Sequence, residues 1–529
     1  NPQSPIPNQN GYIINLIYNK KYKRKNILKI YILKMSEEKN TNLINEEDSG
    51  YATDPQKAEK EEFRKFIEEP GDDDGENRNP TEHNTMLYTA LLVMKGMIGE
   101  GILNLPLIIK TFGIIGGSIM TGFLAFVAIS VATYLGKCKE ITQRYSYAIY
   151  SKLMLGVTGT IIMKVSLIVM VSTMAVVQLI VFGDVLKGLS LLVYDVNTKI
   201  LIVGIAIVLL PFMFQKDISG IARIAYFGII GLGIFSVCQI ILFIYKYQNG
   251  KIIFDSSMLY PKGSYKEIFL CVGGYYNAFT FHMSYFGFYL PLKPRNNKTM
   301  FKSVTIGALS TSLIYFGYGV LCYLMYGNSI TDSALKYLQG DLAEAHKNNQ
   351  TLLVVLLVVC FLGYMVNASV SSMLNVYFFK SHFIGLIKFI LKKRAEKAKA
   401  LKDKEPVPMD DIDTNKEKKE YKEDTLEIKK INDDRDKEKY LSDRQEILIT
   451  FGCYLYVLAM AVGVDKIIIL DSFNGSTVAN YINIIAPCMF FLYFAWDKKD
   501  RCLDKFVASF NVIFGSWLVI FYFIVLFFF

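Results

Sequence analysis

Charge is scarce in this sequence: Asp, Glu, Lys and Arg supply only 20% of its 529 residues, against 52% hydrophobic and 14% aromatic. Together with a mean hydropathy of +0.29, that shortage excludes a string of soluble domains and indicates a membrane protein. Paired cysteines are missing too. Cys238, Cys271, Cys322, Cys360, Cys453 and Cys488 lie in apolar runs, Cys138 and Cys502 lie in basic loops, and no CxxC occurs, so neither a disulfide framework nor a redox or metal site is expected. No HExxH, GxSxG or convergent set of His, Asp and Glu is present, and nothing resembles a channel selectivity filter. The chain is therefore read as a non-enzyme. Its formal net charge of +10 comes from basic residues placed between apolar runs, which face a membrane surface and make no nucleic-acid footprint.

The first methionine is Met35. Residues 1–34 read as a translated upstream segment. Their apolar stretches are short and broken by charge, unlike a signal peptide. Residues 35–85, with EEPGDDDGENRNP, are acidic, poor in large apolar residues and expected to form a disordered cytosolic tail.

A helix needs about 20 apolar residues to cross the hydrocarbon core. Runs of about that length fall at 86–110, 113–136, 159–187, 199–215, 219–246, 266–290, 301–326, 351–379, 445–464, 475–496 and 505–528, predicting eleven spans in an all-α integral membrane protein. The fourth is short, and Asn480 and Asn483 interrupt the tenth. Lysines and arginines concentrate in the 2–3 loop (Lys137, Lys139, Arg144, Lys152), the 6–7 loop (Lys293, Arg295, Lys298) and the 10–11 loop (Lys498, Lys499, Arg501). The excess puts the N-terminus in the cytosol and the C-terminus outside or in a lumen. Between helices 1–8 (86–380) and helices 9–11 (445–529), residues 381–444 form a charged, partly helical cytosolic loop, in which Ile384 to Arg394 could lie along the membrane surface.

Two spans contain breaks. KGMIGEGILNLP places Gly96, Gly99 and Gly101 around Glu100, and each glycine is about 0.8–1 kcal/mol worse than alanine in a helix. CVGGYYNAFTFHMSYFGFYLP in the sixth span sets Gly273, Gly274 and Gly287 around a polar, aromatic centre. Interrupted backbone at membrane depth is tolerated only where it is buried in protein or lines a cavity. Breaks five spans apart are the signature of a five-plus-five inverted repeat, with N–H groups offered to a carboxylate and carbonyls to a cation. Glycines also permit close helix packing.

These residues carry a resemblance. KGMIGEGILNLPLIIKTFG, Lys95 to Gly113, resembles the first-helix motif of the amino acid/auxin permease (transmembrane amino acid transporter) family. It is most similar to the proton-coupled amino acid transporter branch, where K-G-x-I-G-x-G-[IL]-L-x-L-P-L-x-I-K occurs. VQLIVFGDVL, FTFHMSYFGFYLPLK and STVANYINIIAPCMFFLYF extend the similarity over most of residues 86–528. Glu100 stands where relatives often have a small polar residue. The resemblance implies eleven spans, a leucine-transporter-like fold with helices 1 and 6 broken, and uptake or vacuolar and lysosomal efflux of amino acids on a proton or sodium gradient.

Site candidates follow from the breaks. Gly96, Met97, Ile98, Gly99, Glu100 and Gly101 are expected to bind substrate, joined by Thr173 of span three and by Tyr275, Tyr276, Asn277 and Phe279 of span six. Glu100 and His282 are proton-coupling candidates. Glu100 either titrates with transport or pairs with Lys95 or Lys164, and His282 either titrates or packs. Ser371 and Ser372 of span eight could ligate sodium, or bond back to their own helix. The reading is a proton-coupled secondary transporter of small neutral amino acids, with sodium coupling or a flux-free amino acid sensor as alternatives. It needs no cofactor beyond the coupling ion and no nucleic acid. The bilayer, at the plasma membrane or a vacuolar or lysosomal membrane, is its environment.

Overall fold

In the computed structural model, residues 84–214, 219–252, 254–331, 333–402, 441–464, 467–496, 498 and 501–528 are described, among them Glu100 by its backbone alone. The predicted upstream segment and acidic tail (1–83) and most of the charged loop (403–440) lie outside the described residues.

Helices occupy every predicted span. Among the described residues, eight helices are long and apolar enough to cross a membrane, and Met86–Met97 and Thr198–Phe212 are shorter apolar helices. The chain is a multi-pass membrane protein, and its outward faces carry what lipid requires: Ile119, Leu313 and Ile513 are among the large apolar side chains left exposed. Local sequence sets the helix starts. The Thr85 side chain accepts from Tyr88 N at the head of Met86–Met97. Asn296 caps Asn297–Tyr326, and reciprocal capping boxes, Ser264 with Glu267 and Ser442 with Gln445, open the sixth and ninth spans. Gly113, at φ 70° and ψ 166°, turns the end of the first span into the second. A side chain there would strike the Tyr260 carbonyl besides being strained.

Spans five (Ser219–Gln248) and eight (Thr351–Lys402) pack closely enough that a Cβ on Gly231 would collide with the Gly363 carbonyl. Span eight continues past its predicted end to Lys402, so Ile384 to Arg394 extends that helix and forms no separate surface element. Span ten begins earlier than predicted, as Ile467–Ser476. It then breaks at Thr477 and passes through a π-helical turn, Tyr481–Ile485, into Ala486–Ala495. Asn480 and Asn483 do not end it: their amides donate to Gly515 O and Ala479 O.

Between spans seven and eight the amphipathic helix Ala334–Lys347 lies against span three and the Glu100–Asn104 turn. Lys246 of span five pairs with Asp341 at 2.8 Å and sits 4.1 Å over the Tyr326 ring, while Tyr326 donates to Asp341 Oδ2 at 2.8 Å. These contacts fasten the helix beside the break of the first span.

Candidate functional site

Span one runs as Met86–Met97, becomes extended at Ile98, and restarts as a 3₁₀ turn, Glu100–Asn104, that feeds the helix beginning at Leu105. Pro106 sits in the first turn of that helix, where its missing N–H costs nothing. Span six runs as Tyr265–Ala278, opens over Phe279 to Phe281, and restarts through His282–Ser284 into Tyr285–Tyr289. Both predicted breaks are present, five spans apart, as a five-plus-five repeat requires. The three glycines of span one have different jobs, however. Gly96 is still helical, the break falls at Ile98 and Gly99, and Gly101 lies against span six, where an added Cβ would be 2.8 Å from Ala278 Cβ.

The two breaks converge on one atom. The Tyr315 hydroxyl of span seven donates to Met97 O at 2.5 Å and lies 3.0 Å from Ala278 O, the last carbonyls of the two leading half-helices. Tyr315 is fully buried, with Phe279 edge-on to its ring at 5.5 Å and Tyr275 edge-on to Phe279 at 5.7 Å. Tyr275 itself hydrogen-bonds Thr121 of span two. The Tyr276 hydroxyl is buried without a hydrogen-bond partner among the described residues.

A carboxylate that run-counting passed over joins the same centre. Asp471 of span ten, 1% exposed, accepts from Asn104 Nδ2 at 2.5 Å and from Asn277 Nδ2 at 3.2 Å, and Asn474 Nδ2 donates to Asn277 Oδ1 at 3.2 Å. Spans one, six and ten are thereby tied through one buried polar cluster. Their backbones nearly touch: a Cβ on Gly475 would collide with the Gly273 carbonyl, and one on Gly273 with the Ser476 hydroxyl. Ser472 donates to Leu270 O at 2.7 Å along the same seam.

The remaining candidates are dispersed. His282 is fully buried, its Nε2–H donating to Ala128 O of span two at 2.9 Å. Thr173 is buried in span three and donates to Val169 O of its own helix. In span eight, Ser372 is buried with no hydrogen-bond partner among the described residues, while Ser371 is half-buried. One helical turn earlier, Asn367 Oδ1 accepts from the Lys95 ammonium at 3.0 Å, and Lys164 lies 5.7 Å from the Phe389 ring. The Glu100 side chain is outside the described residues. Met97, Ile98, Gly99 and Gly101 of span one thus meet Tyr275, Asn277 and Phe279 of span six at one centre, to which the Tyr276 hydroxyl makes no hydrogen bond among the described residues. Thr173 and His282 hydrogen-bond elsewhere, to Val169 O and Ala128 O, and Ser371 and Ser372 lie on span eight.

A helical membrane protein whose two broken spans meet around helix ends has the build of a solute carrier. The model of the transmembrane amino acid transporter protein family matches residues 82–528, and the chain belongs to that family. It is 24% identical over 46% of its length to the Arabidopsis thaliana protein named amino acid transporter AVT6C, covering 59% of that protein. It is 21% identical over 49% of its length to a Danio rerio protein named sodium-coupled neutral amino acid transporter 7, covering 58%. The chain's matches thus span about three-fifths of the length of these relatives. Among solved structures, a nucleobase-cation-symport-1 family transporter in a closed conformation aligns with a TM-score of 0.46 at 11% identity, over 78% of this chain and 79% of that one. An Eremococcus coleocola manganese transporter aligns with a TM-score of 0.40 at 13% identity, over 83% and 94%.

Proposed function

We propose that the chain is a secondary active transporter of small neutral amino acids, driven by a proton gradient and working by alternating access. The observation that carries this reading is the convergence of Met97 O and Ala278 O on a single atom. Each carbonyl ends a half-helix and sits at the negative pole of its dipole. A substrate ammonium has three donors and can serve both. The restarted turn Glu100–Asn104 has no side-chain cap, so its leading N–H groups suit the carboxylate of the same zwitterion. Aromatic Tyr275, Tyr276 and Phe279 are fully buried, and bulky neighbours of this kind favour a substrate with a small side chain. In this mechanism spans 1, 2, 6 and 7 rock against 3, 4, 5 and 8, and the breaks let half-helices move separately.

For the driving ion, Glu100, His282 and the buried Asp471 offer titratable groups at or beside the broken spans. Sodium would need oxygen ligands from Ser371 and Ser372, one turn beyond Asn367, whose Oδ1 accepts from the Lys95 ammonium. Proteoliposomes holding the full chain, assayed with a radiolabelled amino acid panel, are expected to accumulate small neutral amino acids under an imposed pH gradient, equally in sodium and choline media. Dependence on a sodium gradient would favour the alternative ion, and binding without uptake would indicate a sensor. Protonated Glu100 no longer repels a substrate carboxylate, so Glu100→Gln is expected to flatten the pH profile of uptake. An unchanged profile would remove Glu100 from the coupling.

A further inference from the structure

A transporter that accumulates its substrate must return empty, and in that leg the two buried half-helix carbonyls have no ammonium to accept from. Buried carbonyls without a donor are strongly disfavoured, the more so at helix C-termini, where the peptide dipoles add. Tyr315 supplies a donor for both. Its hydroxyl reaches Met97 O at 2.5 Å and Ala278 O at 3.0 Å. The ring is fully buried and its direction is fixed by the edge-on contact with Phe279. Span seven is continuous from Asn297 to Tyr326, so a rigid element presents this hydroxyl to two broken ones. One O–H shared between two acceptors is a weaker partner than an ammonium, which can give a full hydrogen bond to each. Substrate can therefore displace it.

Resting on the transport reading above, we propose that the Tyr315 hydroxyl is a built-in stand-in for the substrate ammonium. It satisfies the two half-helix carbonyls whenever an amino acid does not, and so allows the empty carrier to close and reorient. Tyr315 is in this sense a positioning residue, needed more for the empty state than for the loaded one.

The test compares net uptake with exchange in Tyr315→Phe, which keeps the ring and removes only the hydroxyl. The probe is a radiolabelled mixture of the proteinogenic amino acids, given to proteoliposomes that are either empty or preloaded with the same mixture unlabelled. Net uptake requires return of the empty carrier and is expected to fall about tenfold, equivalent to about 1.4 kcal/mol. Exchange does not require the empty carrier to reorient and is expected to fall by a clearly smaller factor than net uptake. Equal loss of both fluxes, or retention of both, overturns the proposal. Thermal unfolding of the purified protein gives a second readout that needs no flux: the variant's Tm is expected to be lowered without amino acids and restored toward wild type by the mixture. An unchanged Tm without amino acids also overturns the proposal. Absence of both fluxes in wild type instead overturns the transport reading, and the Tm comparison then still tests the hydroxyl's role.

Discussion

Asp471→Ala is expected to abolish amino acid uptake and to lower the Tm of the purified protein sharply. A charged carboxylate at the centre of a membrane helix costs about 2.5–3.5 kcal/mol on insertion scales, so Asp471, 1% exposed, is held by what surrounds it. Its two oxygens accept from the amides of Asn104 and Asn277, one at the end of the restarted turn of span one and one at the end of the leading half of span six. Truncation strands both amides in the interior, at about 1–3 kcal/mol each. Their sum is a large part of the roughly 5–15 kcal/mol by which a domain is stable. The loss falls where the two breaks must keep register, so transport suffers beyond what lost protein accounts for. Asp471→Asn preserves volume but turns one acceptor into a donor facing a donor, and is expected to yield folded protein with strongly reduced uptake. Uptake normalised to folded protein, measured by gel filtration and thermal unfolding, checks both. A well-folded alanine variant with wild-type uptake would remove Asp471 from the site.

The spans and both breaks were readable from the sequence because each has a one-dimensional signal: apolar run length for the spans, and clustered glycine beside polar residues for the breaks. Counting long apolar runs also explains why Asp471 escaped notice. VDKIIILDSFNGS reads as a charged, polar connector before span ten, whereas the chain is helical from Ile467 and buries that aspartate. The cue present was a carboxylate three residues before an Asn-Gly pair and close to a broken span's Asn277, which means something only once spans six and ten are known to touch. Tyr315 had no cue at all. It is one of 34 tyrosines, and only the three-dimensional meeting of two helix ends singles it out. The span-one glycines show the same limit: composition located the break, but packing divided their roles, with Gly99 at the opening and Gly101 against Ala278.

That division makes glycine substitutions unequal, and Gly475→Ala is expected to be the most damaging of them. The smallest possible side chain at this position collides with the backbone carbonyl of Gly273 and comes within 3.0 Å of Asn277 Cβ. Backbone cannot swing aside as a flexible side chain can, so spans six and ten must separate. Separation pulls Asn277 from Asp471 and Asn474, undoing the polar cluster along with the packing. Overpacking a tight interior costs about 1–3 kcal/mol, and the stranded amide adds about 1–3 kcal/mol more. Little folded protein is expected. Gly101→Ala, with its new Cβ 2.8 Å from Ala278 Cβ and 3.1 Å from Ala278 Cα, should fold with a lowered Tm and weakened uptake, since it wedges the two breaks apart at the substrate end. At Gly99 an added Cβ meets nothing within 4 Å, and Gly99→Ala should keep a Tm within a few degrees of wild type. Thermal unfolding of the three variants side by side should therefore rank Gly475→Ala below Gly101→Ala below Gly99→Ala. A Gly475→Ala protein as stable as Gly99→Ala would mean that spans six and ten are not in backbone contact, and the link from Asp471 to the sixth-span break would fall with that contact.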